Sequence, residues 1–269
     1  MKVALVQFNG IWESVEPNLE RAEGFVKRAA EERCDLVVFP EMFATGFSMN
    51  VPVVAEEGFG RTAAALSKMA KTYTVNIIAG LAMRAPGAGQ ARNMALVCNR
   101  EGLPVATYTK IHPFSFAGED RHFIAGIDTV TFDLDAMPAS VFICYDLRFP
   151  EVFRSVARDV QAIVVIANWP ESRKAHWEAL LRARAIENQC FIIGVNRTGS
   201  DGNGIIYPGA SHIFDPLGND ICCGSGTEEF ITAELDPREA DRVRAEFPFL
   251  KDMKPLSLDL VEGSSGEER

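Results

Sequence analysis

The chain has 269 residues, 47% of them apolar and 24% charged, and 37 acidic residues against 27 basic give a net charge of −10. That composition belongs to a globular chain able to bury a large core, and the acidic balance argues against nucleic acid or an anionic membrane surface as partner. A local basic pocket for a small anion remains compatible with it.

The predicted elements begin with a strand at 2–8 (KVALVQF), whose lysine is followed by neither a long apolar core nor a small-residue cleavage site, so no signal peptide is expected. A helix follows over 17–33, with Pro17 as its first residue and Leu19, Ala22, Phe25, Val26, Ala29 and Ala30 on one stripe. Next come a strand at 35–39, a helix at 62–73 and a run of strands at 76–83, 93–99, 105–109, 129–134 and 140–144. A helix at 150–158, a strand at 162–168, a helix at 174–189 and strands at 190–196, 209–215 and 230–235 complete the order. Several strands are apolar throughout, as in sheets covered on both faces, and their alternation with helices predicts an α/β fold with a largely parallel or mixed sheet. The longest apolar runs, such as AIVVIA at 162–167, fall far short of the ~20 residues of a membrane-spanning helix. The pattern predicts one domain over 1–258, with RAPGAGQAR (84–92) as a hairpin turn and SDGNG (200–204) as a loop. Residues 259–269 are polar and charged and read as a disordered tail.

The cysteines at 34, 98, 144, 190, 222 and 223 form no C-x-x-C pair, and the four histidines complete no metal spacing. No metal and no cofactor is expected, and the thiols read as free, in a cytoplasmic protein. Cys222 and Cys223, in a predicted hairpin beside Gly224, read as incidental thiols.

Three stretches share one grammar, an apolar run ending in a reactive side chain: DLVVFPE in Glu41, VATYTKIHPF in Lys110 and SVFICYDLRFPE in Cys144. Alone, each has a plain structural explanation: a core thiol, a solvated acid, a surface lysine. Together at strand ends, where functional groups of sheet enzymes gather, carboxylate, ammonium and thiol can make a base, an oxyanion cation and a nucleophile. In the turn after Cys144, Asp146 and Arg148 are expected to pair, although Arg148 could instead meet a substrate carboxylate.

FPEMFATGF, YTKIHPF and ICYDLRFPE, in that order, resemble the three signatures of the nitrilase, or carbon–nitrogen hydrolase, superfamily. The likeness continues through IANWP, HWEALLRARAIENQ, NRTGSDGNG and DPLGN and so covers nearly the whole chain. It implies a four-layer αββα sandwich of two mixed sheets with helices outside. It further implies Glu41 as general base, Cys144 as nucleophile, and Lys110 with the backbone N–H of Tyr145 as oxyanion donors. Glu119 would support Lys110 and help place the substrate. CYDLRFPE and NWPESRKAHW resemble the ω-amidase branch, whose substrates are short dicarboxylic monoamides such as 2-oxoglutaramate and 2-oxosuccinamate. Arg173 and His176 are then candidates to hold the substrate carboxylate, with Arg148 beside them, and Trp169 and Trp177 could wall the pocket. Other readings are a deaminated-glutathione amidase, an N-carbamoyl amidase, a nitrilase or a catalytically idle binding protein. The resemblance also implies a homodimer or higher homo-oligomer, paired through the helices that follow the nucleophile.

Overall fold

A computed structural model describes residues 1–254 apart from Pro86, Ala88 and Ala136; the end of the expected domain, 255–258, and the tail 259–269 lie outside the described residues. Its strands are β1 (Lys2–Gln7), β2 (Leu36–Val38), β3 (Asn76–Arg84), β4 (Ala91–Cys98), β5 (Pro104–Thr109), β6 (Thr131–Leu134), β7 (Met137–Ile143), β8 (Ala162–Ala167), β9 (Phe191–Asn196), β10 (Thr198–Ser200), β11 (Ile206–Pro208), β12 (His212–Phe214), β13 (Asp220–Cys223) and β14 (Glu229–Glu234). The helices are α1 (Val15–Glu31), α2 (Val51–Val54), α3 (Arg61–Tyr73), α4 (Glu119–His122), α5 (Pro150–Val156), α6 (Lys174–Asn188) and α7 (Arg238–Glu246).

Two six-stranded mixed sheets carry the fold, in the orders β14-β1-β2-β3-β4-β5 and β13-β12-β9-β8-β7-β6. Each has three parallel strands at its centre, β1–β3 in one and β7–β9 in the other, flanked by antiparallel neighbours. Strand alternation explains the layering. In β1, Val3 and Leu5 face the second sheet, where they join Val38, Ile78 and Val141 in one core. Ala4 and Val6 face the other way and pack with Leu19, Ala22 and Val26 of α1 and Leu66 and Ala70 of α3. On the far face, Phe153 of α5 and Trp177 and Leu181 of α6 cover the second sheet. The result is the expected αββα sandwich.

Local differences from the sequence expectation have identifiable causes. Helix α1 starts at Val15, so Pro17 sits third rather than first; a proline is tolerated there because first-turn N–H groups need no helical acceptor. The strand expected over 209–215 shrinks to β12, because Gly209 and Ala210 take left-handed backbone at φ 63° and 51°. The SDGNG loop proves to be the turn of a small hairpin, β10–β11, paired outside the two sheets. Among the described residues no helix is long and apolar enough to cross a membrane.

One glycine fixes how the loop after β2 lies on the sheet. A Cβ on Gly80 of β3 would meet Glu41 Cα and Met42 N at 2.5 Å, so only glycine lets that loop pack directly on the strand. Gly80→Ala is expected to lower the unfolding free energy by about 1–3 kcal/mol, the usual cost of overpacking against backbone. A urea melt checks it, and an unchanged midpoint would contradict the close approach.

Candidate active site

The parallel strands point their carboxyl ends the same way, and the residues just beyond β2, β5, β7 and β8 meet there: Glu41, Lys110, Cys144 and Asn168. Glu41, Lys110 and Glu119 are at most 1% exposed. Lys110 Nζ donates to Glu41 Oε1 at 2.8 Å and to Glu119 Oε2 at 2.9 Å. An ammonium has three donors, so the third is uncommitted among the described residues, and Nζ lies 5.1 Å from the centre of the Phe47 ring.

The Glu41 carboxylate is held by four donors. Oε1 accepts from Lys110 and from Asn93 Nδ2 at 2.7 Å, and Oε2 accepts from Asn168 N at 2.9 Å and Asn168 Nδ2 at 3.2 Å. Burial acts to raise its pKa, but the Lys110 charge and these donors win and hold it below the usual carboxylate value. Glu119 goes the other way: burial and the Glu41 charge raise it against the pull of Lys110. All its partners are nevertheless donors, including Phe114 N at 2.5 Å and Asn93 Nδ2 at 2.8 Å, an arrangement that suits the carboxylate form. Burial lowers Lys110 less than the two glutamates raise it, so it stays an ammonium.

Cys144 closes β7 with φ 48°, a left-handed conformation unusual for a side-chain-bearing residue and typical of strain held at a functional elbow. Its thiol lies 3.8 Å from Asn168 O. Burial, reinforced by Glu41 and opposed by Lys110, pushes its pKa well above the ordinary value, so the resting form is the thiol. Such a thiol becomes a nucleophile only by passing its proton to a base as it attacks, and Glu41 is the ionised group at hand.

The elbow is tied to the lysine loop through Asp146. Its Oδ2 accepts from Tyr108 OH at 2.8 Å and Ile143 N at 3.1 Å, and its Oδ1 from His112 N at 2.9 Å and His112 Nδ1 at 2.8 Å. These donors saturate the buried carboxylate, and this corrects the expected Asp146–Arg148 pair. Arg148 instead lies over the Trp169 ring at 4.8 Å and contacts His176 Nδ1 at 3.3 Å.

A cavity of about 130 Å³ opens over Cys144. Phe47, Phe114, Tyr145, Trp169 and Tyr207 wall it, and Arg148 and Arg173 supply its cations. Arg173 stacks over Phe114 at 5.4 Å. Neither guanidinium is paired with a carboxylate among the described residues. His176 is not in the wall but exposed behind Arg148, and Trp177 is fully buried, bonding Ala210 O from Nε1 at 2.7 Å. Glu41 and Lys110 lie buried beyond Cys144 and Phe47, outside the lining. Sequence reasoning missed Asn93, Asn168 and Tyr108. The first opens an apolar strand and the second stands in the IANWP run, so a buried polar residue in an apolar setting was the only signal.

The family model for carbon–nitrogen hydrolases matches residues 2–245. A 2-oxoglutaramate amidase of Bacillus subtilis (strain 168) is 34% identical over 256 residues, covering 94% of this chain and 97% of that protein. The omega-amidase YafV of Escherichia coli (strain K12) is 34% identical over 264 residues, with 96% and 98% covered. Among solved structures, XC1258 from Xanthomonas campestris, a CN-hydrolase superfamily protein with an arsenic adduct in its active site, superimposes with a TM-score of 0.90 at 31% identity, covering 96% of this chain and 98% of that one.

Asp146→Asn tests the tie between elbow and lysine loop. An amide cannot accept from all four donors, so at least one buried N–H or O–H is left unmet, at a cost of about 1–3 kcal/mol. The expected result is a urea midpoint lowered accordingly, whereas a wild-type midpoint would mean that Asp146 carries no such load.

Proposed function

The chain belongs to the carbon–nitrogen hydrolase family and is an amide-hydrolysing enzyme, and from that premise we propose that it is an ω-amidase acting on short dicarboxylic monoamides of the 2-oxoglutaramate and 2-oxosuccinamate type. The observation that carries the substrate reading is the pair of guanidinium groups, Arg148 and Arg173, in a largely aromatic and apolar cavity over Cys144. A substrate carboxylate would supply their missing partner while the amide at the other end reaches the thiol. Charge-assisted, often bidentate, pairing is what arginine does best at such a site.

The geometry supports the following chemistry. Glu41 takes the Cys144 proton as Sγ attacks the amide carbon. The oxyanion formed meets the third Lys110 donor and the Tyr145 N–H. When the C–N bond breaks, Glu41 returns the proton to nitrogen and ammonia leaves, with the acyl group held as a thioester on Sγ. Glu41 then deprotonates a water that attacks the thioester, and the proton goes back to sulfur as the acid departs. Because donors fill the Glu41 oxygens at rest, protonation must displace one, and Asn168 Nδ2, at 3.2 Å, is the longest contact. Glu119 steadies Lys110, and pairing of two chains through α5 and α6 remains part of the proposal, checked by sedimentation at micromolar concentration.

Ammonia release from 2-oxoglutaramate, glutamine, a nitrile and an N-carbamoyl amine tests the substrate class; no clear preference for 2-oxoglutaramate would overturn it. Arg148→Met and Arg173→Met are each expected to raise KM for 2-oxoglutaramate about tenfold or more, the worth of a charge-assisted hydrogen bond, and to leave an uncharged amide nearly unaffected. Cys144→Ala is expected to abolish turnover and the acyl adduct seen by intact mass.

The pH dependence has a definite sign. Glu41 must be ionised to act, and its pKa lies below the ordinary 4.5, so kcat/KM falls only as pH drops below that value. The Cys144 thiol titrates above 9.0, so no thiolate-driven rise occurs before that point. A flat profile between those limits is expected, and a limb with its midpoint near neutrality would contradict the assignment.

A further inference from the structure

Two carboxylates facing one ammonium repel each other, so their spacing has to be held by something else. Asn93, on β4 and 1% exposed, is the group between them. Its Nδ2 donates to Glu41 Oε1 at 2.7 Å and to Glu119 Oε1 at 2.8 Å, while Lys110 Nζ bridges the same two acids through Glu41 Oε1 and Glu119 Oε2. The backbone O of Asn93 also accepts from Lys110 N at 2.9 Å. One residue therefore holds both carboxylates of the buried cluster through its side chain and the backbone of Lys110 through its carbonyl. Both side-chain N–H groups are spent on the glutamates, and Oδ1 is buried with no partner among the described residues. Turned over, the amide would set its oxygen against two carboxylates, so its orientation is dictated by them. A buried carbonyl left unmet is a cost that a residue present only for packing would avoid.

We propose that Asn93 is a positioning residue that clamps Glu41 and Glu119 at a fixed spacing on either side of the Lys110 ammonium and keeps Glu41 in place as the ionised base. The inference rests on the reading of Glu41 as base and on no particular substrate. Removing the clamp takes a donor from the Glu41 carboxylate and lets the second acid approach, and both changes make Glu41 easier to protonate.

The test is the pH dependence of Cys144 alkylation by iodoacetamide in the full chain carrying Cys222→Ser and Cys223→Ser, beside kcat/KM for whichever amide turns over. Asn93→Ala is expected to shift the acid limb of both profiles upward by about one pH unit and to lower kcat while KM changes little. Asn93→Ser, which keeps one donor, is expected to fall between Asn93→Ala and the parent, and it carries the test if the alanine variant does not fold. A folded variant whose acid limb coincides with the parent's would overturn the proposal. Failure of the underlying reading looks different: Glu41→Gln would then alkylate with the parent's pH profile whatever stands at position 93.

Discussion

Everything about this site depends on one ammonium kept dry between two carboxylates. Taking three charged groups out of water costs several kcal/mol each, which mutual attraction and hydrogen bonds must offset, and breaking such a set by removing one member costs about 3–5 kcal/mol. The fold meets that demand by spending elements from both sheets on it. The turn after β2 brings Glu41, the end of β5 brings Lys110, α4 brings Glu119, β4 brings Asn93 and the end of β8 brings Asn168. The proposed nucleophile, Cys144, comes to this cluster from the end of β7. Cys144 sits on a strained elbow whose strain, of order 1–3 kcal/mol, the four donors around Asp146 over-determine.

The division of labour is electrostatic. Glu41 has more donors than a proton can easily compete with, and Cys144 has too much burial to ionise alone, so neither group is reactive at rest. In the proposed reaction, transfer becomes favourable only as charge leaves sulfur for the carbonyl under attack, which is where the spare Lys110 donor would act. The aromatic walls of the cavity serve the same end by excluding water. They also hold two guanidinium groups, Arg148 over Trp169 and Arg173 over Phe114, in the wall of the same cavity.

How much of this was legible in the sequence depended on the kind of information. Glu41, Lys110 and Cys144 were readable because each stands where an apolar run stops, a break that local patterning reports. The two-sheet stacking was not, since Val3 and Ala4 look alike in a string although they face different layers; it came from resemblance alone. The role of Asp146 was misread because a neighbouring arginine is visible in sequence, whereas Tyr108 and His112 arrive from β5 and the loop after it, 38 and 34 residues away. The helix carrying His176 was foreseen, but not that the side chain would lie outside the cavity wall and contact Arg148. Asn93 was invisible because an asparagine opening a strand reads as a strand end until the glutamates across from it are known.

The pairing of β1 with β14 has a consequence for how the chain comes to be folded. Lys2 lies opposite Glu234 and Gln7 opposite Glu229, so one edge of β1 is covered by a segment that follows it by more than 220 residues. Met1 N is held by Leu235 O at 2.7 Å across the same join. Loop-closure entropy over that span must be met before the contact returns anything, and pairings of such high sequence separation form late. During synthesis the β1 edge therefore stays open until residue 229 and its successors have emerged, an exposed template of unpaired N–H and C=O groups. The vulnerable interval in this protein's life is set by β14, far in sequence from Glu41, Lys110 and Cys144.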